Sequence, residues 1–134
     1  MLQAPILSSA LAKGIVPDNA PAYMGSAGRV ASKPGVEIAS NTDAVLFLGS
    51  DMPFQSFFIP EDAKYIQVDI DGTKFGRRHQ VDLAILADAK LTIKKLMEIG
   101  EQLPETAWYR AALADKENWV EWLEKRSLID SSPL

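Results

Sequence analysis

Two short apolar runs, residues 44–48 and 65–70, constrain the fold of this chain more than any other feature. The first reads Ala-Val-Leu-Phe-Leu and ends at Gly49, and the second reads Tyr-Ile-Gln-Val-Asp-Ile and is followed by an acid. Runs of this length and character are typical of buried strands in a parallel sheet that helices cover on both faces. In such sheets, ligands bind just beyond the carboxyl ends of the strands. The pattern therefore predicts that residues 49–51 and 69–71 line a cleft.

The composition indicates one soluble globular domain. Of the 134 residues, 47% are hydrophobic and 24% are charged. The net charge of −4, without a basic block, argues against binding to nucleic acid or to a membrane surface. The chain has no cysteine, which excludes thiolate metal sites and cysteine nucleophiles. No apolar stretch approaches the roughly 18 residues of a membrane span, and we expect a cytoplasmic protein.

Strand and helix patterns alternate along the chain, and they predict an α/β fold with a doubly wound parallel sheet. Before the two apolar runs, we expect a weak strand at residues 4–7 and a long, ligand-lining loop up to Gly28. A short helix over residues 34–40 follows that loop. After the apolar runs, we expect a short strand at residues 83–86.

Two helices are predicted in the C-terminal part. Asp88 is a good N-cap for an amphipathic helix that Pro104 stops. A second helix, over residues 105–127, carries a stripe of aromatic residues that we expect to anchor it. The tryptophans of that stripe are Trp108, Trp119 and Trp122.

A glycine-rich segment is the candidate phosphate site. Its residues are Gly25, Ser26, Ala27, Gly28 and Arg29. Backbone N–H groups, a hydroxyl and a guanidinium are the donors that a pyrophosphate needs. The dinucleotide fingerprint G-x-G-x-x-G is absent, and an ordinary loop with a surface arginine stays an open alternative.

The segment after the first apolar run is the second candidate. It consists of Gly49, Ser50, Asp51, Met52, Pro53 and Phe54. Its position at the end of a predicted strand favours contact with a ligand. The alternative is a turn whose phenylalanine side chains belong to the core.

Acidic residues at the ends of the next two strands complete the candidate set. Asp69 and Asp71 flank Ile70, so strand alternation places both carboxylates on one side, where they can accept hydrogen bonds from ribose hydroxyls. Asp88 and Ala89 follow the last predicted strand. The alternatives are solvated acids at a strand end and a plain helix cap.

Catalysis by this chain alone is improbable. His79 is the only histidine, and it lies in a polar loop beside two arginines, so we assign it no role. Without a second histidine or a cysteine, neither a catalytic triad nor a zinc site has its usual ligands.

Several segments, taken in order, resemble the pyruvate oxidase family of thiamine-diphosphate-dependent enzymes. They are residues 12–17, 21–30, 44–49, 67–71, 76–79 and 86–89. The resemblance is to the central domain of that family, and it covers nearly the whole chain.

This resemblance implies a fold, cofactors and partners. Residues 1–104 would form the central FAD-binding domain, and residues 105–134 would be a helix and linker toward a thiamine-diphosphate domain. Family members are homotetramers that use FAD, thiamine diphosphate and a divalent metal, Mg²⁺. The oxygen-using branch converts pyruvate, phosphate and O₂ to acetyl phosphate, CO₂ and H₂O₂, and a quinone-using branch also exists.

The resemblance also implies where FAD binds. Residues 25–29 would hold its phosphate and ribityl region, and residues 49–54 would lie along the flavin. Residues 69–71, with Asp88 and Ala89, would surround the adenosine.

The chain departs from the family pattern at its start. The family's central domain begins with a further strand and helix joined by a glycine-rich turn, whereas Met1 falls at what resembles the second strand. The Gly-Asp-Gly signature of the thiamine domain is also absent. We therefore expect a fragment without oxidase activity that binds FAD weakly or not at all. An exposed sheet edge predicts self-association.

Two functions stay open from the sequence. The first is the FAD-binding module of a pyruvate oxidase. The second is a non-catalytic nucleotide-binding or structural domain of another thiamine-diphosphate enzyme, such as a quinone-dependent pyruvate dehydrogenase or an acetolactate synthase. A fold by itself does not choose between them.

Overall fold

The computed structural model describes residues 2–51 and 58–127. Within these ranges the chain forms five strands and three α-helices, which do not alternate one by one as the sequence pattern predicted. The strands are β1 (Ile6–Ser8), β2 (Tyr23–Ser26), β3 (Ala44–Leu48), β4 (Lys64–Asp69) and β5 (Leu83–Leu86), and the helices are α1 (Lys33–Ser40), α2 (Ala89–Ile99) and α3 (Ala107–Ser127). All strand pairs are parallel. The predicted α/β class with parallel strands is confirmed.

The described strands divide into two sheets. β1 pairs with β2, while β3, β4 and β5 form a second sheet with β4 in the middle. Lys64 N–H donates to the Asp43 carbonyl and Gly49 N–H donates to the Val68 carbonyl, each at 2.8 Å. Backbone groups alternate between the two sides of a strand, so the odd-numbered residues of β3 face β4. The even-numbered ones face an edge that no described strand covers.

The strand β2 is a correction, because the sequence predicts a loop there. Tyr23 is 3% exposed and Met24 is 2% exposed. The Tyr23 hydroxyl hydrogen-bonds with Ser8 Oγ on β1 at 2.7 Å. Nearby prolines and glycines hide the strand pattern, and burial against the rest of the chain overrides that local signal.

Local hydrogen bonds set the helix ends. Ser32 Oγ accepts from Gly35 N–H at 3.1 Å, which caps α1 one residue earlier than predicted. Thr106 Oγ1 accepts from Tyr109 N–H at 3.0 Å, so α3 begins two residues later than predicted. The helix α2 ends at Ile99, before the proline that was expected to stop it.

The main core contains residues from both sheets. The Phe47 ring of β3 lies 5.9 Å from the Tyr65 ring of β4, and Ala27, which follows β2, belongs to the same cluster. The buried members of that cluster are Ala27, Ala39, Phe47, Ile59, Ala63 and Tyr65. This shared core holds the carboxyl ends of the strands in fixed relative positions.

The helix α3 packs along α1 and β2. Ala112, 2% exposed, forms a second core cluster with Met24 and Ile38. Lys116 Nζ donates to the Ala20 carbonyl at 2.5 Å. Both contacts join residues more than 70 positions apart in the sequence, so they connect the C-terminal helix to the N-terminal part of the fold.

Trp108 and Trp122 do not anchor α3 as predicted, whereas Trp119 is half-buried. Trp108 is 39% exposed and Trp122 is 43% exposed, whereas Tyr109 and Ala112 are buried. The Trp119 and Trp122 rings stack on each other at 4.8 Å. Small and amphipathic residues fill the helix interface because α3 lies close to α1. The predicted linker, residues 128–134, is outside the described residues.

Candidate functional site

Parallel pairing brings the ends of three strands to one edge. Gly49 N–H donates to the Val68 carbonyl at 2.8 Å, and Ala87 N–H donates to the Asp69 carbonyl at 3.0 Å. Gly49, Asp69 and Asp88 therefore lie at the carboxyl ends of neighbouring strands, at the same sheet edge, which we call the carboxyl edge. The sequence predicted this juxtaposition from the parallel strand pattern.

The segment after β3 begins with an exposed glycine. Gly49 has a φ of +64°, and, apart from its chain neighbours, no described residue has a heavy atom within 4 Å of the position a Cβ would take. Ser50 and Asp51 are half-buried. Asp51 Oδ2 lies 3.7 Å from both Arg77 Nη1 and Arg78 Nε. The other candidates of this segment, Met52, Pro53 and Phe54, lie outside the described residues.

Asp69, the last residue of β4, and Asp71 each accept a hydrogen bond from the backbone two residues further on. Asp69 Oδ1 accepts from Asp71 N–H at 2.9 Å. Asp71 Oδ1 accepts from the Thr73 N–H at 3.0 Å and from the Thr73 hydroxyl at 2.7 Å, and so caps a short 3₁₀ turn. These bonds favour the ionised form, and they lower the pKa of Asp71. Ile70 between them is 74% exposed.

The end of β5 leads directly into α2. Asp88 Oδ1 accepts from Leu91 N–H at 2.9 Å, which confirms the predicted N-cap. Ala89 is the first residue of the helix and is half-buried. Asp88 therefore has a structural role as the cap of α2 at the carboxyl edge.

The glycine-rich segment belongs to the other sheet. Gly25 and Ser26 end β2, and Ala27 N–H donates to the Ser8 carbonyl at 2.9 Å. The Ser26 hydroxyl donates to the Val30 carbonyl at 2.7 Å. Arg29 is exposed. Two of the donors expected for a pyrophosphate are thus used within the chain.

Sequence reasoning missed a cluster of polar residues behind the carboxyl edge. Gln67, 5% exposed, lies on β4, and its side chain reaches the segments after β3 and after β4. His79, to which we assigned no role, stacks on the Tyr65 ring with centroids 3.5 Å apart. A cavity of about 10 Å³, room for one water, lies among these side chains. The available signal was a glutamine in the middle of an apolar run.

The described ranges contain no grouping of three or more histidine and acidic side chains that could hold a metal ion. In the same ranges, no helix has the length and apolar character to cross a bilayer.

Comparison with known proteins gives a consistent result. Residues 1–96 match the family described as thiamine pyrophosphate enzyme, central domain. The chain is 40% identical over 135 residues to the pyruvate oxidase of Lactiplantibacillus plantarum, covering 99% of this chain and 22% of that protein. It is 30% identical over 131 residues to a putative thiamine pyrophosphate-containing protein of Bacillus subtilis, covering 98% of this chain and 23% of that protein.

Synthases are also similar. The chain is 28% identical over 145 residues to a probable acetolactate synthase large subunit of Methanococcus aeolicus, covering 100% of this chain and 23% of that protein. The chain thus spans 22% to 23% of the length of these relatives. By its match over residues 1–96 and its parallel α/β fold, this chain belongs to the family of thiamine pyrophosphate enzyme central domains.

Proposed function

We propose that this chain is the FAD-binding central domain of a pyruvate oxidase, with FAD lying along the carboxyl edge. The observation that carries the proposal is that Gly49, Asp69 and Asp88 lie at the carboxyl ends of three adjacent parallel strands. Similarity to a pyruvate oxidase over 99% of the chain supports the choice of this enzyme.

The chemistry of the edge fits the adenosine half of a dinucleotide. The Oδ2 atoms of Asp69 and Asp71 accept no hydrogen bond from any described residue, so both are available to ribose hydroxyls. Open space beside Gly49 lets a ligand approach the backbone closely. In this proposal, Ile70, Asp88 and Ala89 border the adenosine, and the segment from Gly49 lies along the flavin.

The phosphate end of FAD is assigned to the segment after β2. The positive charge of Arg29 and the positive φ of Gly28 support this assignment, whereas the Ser26 hydroxyl and the Ala27 N–H donate within the chain. An exposed guanidinium binds phosphate in a bidentate manner.

When bound, FAD supplies a two-electron acceptor to the longer enzyme. That enzyme is proposed to convert pyruvate, phosphate and O₂ to acetyl phosphate, CO₂ and H₂O₂. The residues of this chain bind and orient the cofactor. Thiamine diphosphate and Mg²⁺ are assigned to other domains of the same enzyme, which we propose to be a cytoplasmic homotetramer.

The test is a thermal shift of this chain with FAD or ADP at about 1 mM, because a ligand that binds only the folded state raises its melting temperature. We expect FAD to protect the fold more than ADP does, with a dissociation constant above about 1 μM. The double substitution Asp69→Asn and Asp71→Asn should reduce the shift. Glu61→Gln with Asp62→Asn removes two exposed acids before β4, at its opposite end, and is the matched control.

A second candidate is a domain that binds another nucleotide, or none, in a thiamine-diphosphate enzyme of the acetolactate synthase type. The similarity to the Methanococcus aeolicus protein over 100% of this chain favours it. Preference for ADP, or equal indifference to both nucleotides, would support this candidate and count against the first.

A further inference from the structure

The buried side chain of Gln67 joins two loops at the carboxyl edge. Its Nε2 donates to the Lys74 carbonyl at 3.2 Å and to the Ser50 carbonyl at 3.5 Å, while its Oε1 accepts from Gly76 N–H at 3.4 Å. A buried amide is tolerated when its polar atoms are satisfied. All its partners here are backbone groups of the segments that follow β3 and β4, so Gln67 fixes these segments relative to each other.

An ionic contact joins the same two segments. Asp51 Oδ2 faces both Arg77 and Arg78, each at 3.7 Å, and the Asp51 side chain is only 24% exposed. Single exposed ion pairs contribute little to stability. Two guanidinium groups beside one carboxylate nevertheless restrict where the Asp51 side chain can lie, because a half-buried carboxylate without its cationic neighbours would be less stable.

A ring contact anchors the second segment to the sheet. The His79 imidazole lies flat on the Tyr65 ring, with centroids 3.5 Å apart and planes 12° apart. Tyr65 is 1% exposed, so it is a rigid base for that contact. The segment from Lys74 to His79 is therefore held at three points: by Gln67, by Asp51 and by Tyr65.

We propose that residues 74–79 act as a brace that positions the Gly49–Asp51 segment at the carboxyl edge. Arg77 and Arg78 are then positioning residues that act through Asp51. The side chain of Asp51 belongs to this support, and the brace holds Gly49 at the exposed end of β3. The functional value of the brace rests on the proposed FAD site, but its mechanical action does not.

Amide hydrogen exchange of the whole chain without ligand tests the mechanical action. We expect the double substitution Arg77→Gln and Arg78→Gln to speed exchange of the Gly49 amide about tenfold, because local opening follows the loss of restraining contacts. Exchange of the Asp82 amide, which is bonded to the Tyr65 carbonyl at the opposite end of the sheet, should stay unchanged. Arg77→Lys with Arg78→Lys should restore slow exchange in part, since the charges return.

The control is Lys94→Gln with Lys95→Gln on α2, which removes the same charge and also breaks a surface ion pair, Lys95 with Glu98. It should leave the Gly49 amide unaffected. Unchanged exchange at Gly49 in the arginine variant would overturn the brace, and so would equal acceleration at Gly49 and Asp82, which indicates global destabilisation.

Titration with FAD separates the brace from the proposed function. If FAD binds, the Arg77→Gln and Arg78→Gln double variant should bind it about tenfold more weakly or worse, because preorganisation is lost. The Lys94→Gln and Lys95→Gln control should bind FAD as the unaltered chain does. If FAD does not bind the unaltered chain, the proposed function fails, and the exchange measurement still decides whether the brace exists.

Discussion

The side chain of Ser32 fills the space in which a Cβ atom on Gly25 would stand. A Cβ at that position would approach Ser32 Cβ to 2.9 Å, and the φ of Gly25 is +99°. Ser32 cannot easily move, because its hydroxyl donates to the Met24 carbonyl at 2.7 Å and accepts from Gly35 N–H at 3.1 Å. One hydroxyl thus caps α1 and also ties it to β2.

Gly25→Ala should therefore destabilise the chain strongly. We expect the free energy of unfolding to fall by about 2–4 kcal/mol, from backbone strain and from loss of the Ser32 cap. Urea unfolding measures the change. The control is Gly28→Ala, where φ is +123° but no heavy atom lies within 4 Å of the new Cβ. If the free energy of unfolding falls equally in both variants, the contact with Ser32 does not contribute to the destabilisation of Gly25→Ala.

Asp88→Ala should cost about 1 kcal/mol of the free energy of unfolding, because the first turn of α2 loses the acceptor for Leu91 N–H. Asp88→Asn keeps an acceptor oxygen, so its free energy of unfolding should fall by at most roughly a few tenths of a kcal/mol. Urea unfolding of the two variants checks the cap. An equal loss in both would show that the charge, and not the cap, supplies the stabilisation.

Asp82 should make stability depend on acidic pH. The Tyr65 N–H donates to its Oδ2 at 2.9 Å and Lys64 Nζ donates to its Oδ1 at 3.0 Å, and these bonds lower the pKa of Asp82 below its ordinary value of 3.8. Because the folded pKa is lower than the unfolded one, this stabilisation is present above pH 3.8 and is lost as the pH falls through the folded pKa.

Asp82→Asn should consequently be less stable than the unaltered chain at neutral pH. The difference should shrink toward zero as the pH falls below 3.8. Urea unfolding at a series of pH values measures it. A difference that stays constant into the acid range would contradict the assignment.

The edge of β3 that no described strand covers should let the chain associate with itself at high concentration. Ala44 is exposed, and its backbone N–H faces away from β4. Ala44→Pro removes this donor at the first residue of the strand, where proline is tolerated. Sedimentation velocity over a range of concentrations should show association of the unaltered chain and less of it in the variant. A monomer at every concentration would contradict the prediction.

Several features could be read from local patterns. The runs at β3 and β4 predicted parallel strands because buried strands show continuous apolar character, and the cap at Asp88 was predicted because its effect extends over only three residues. Other features depended on distant partners. The strand β2 forms because Tyr23 is buried beside Ser8, 15 positions away, and no local pattern carries that information.

The sequence by itself determined the α/β class, the parallel strands and the grouping of Gly49, Asp69 and Asp88 at one edge, because apolar periodicity and strand polarity are local properties. Only the tertiary structure decided the division into two sheets, the burial of α3 through Ala112 and the bonds from Gln67 to two loops. These depend on which surfaces meet when the chain packs, and a buried polar side chain reveals its role only once its partners, many residues away, are in place.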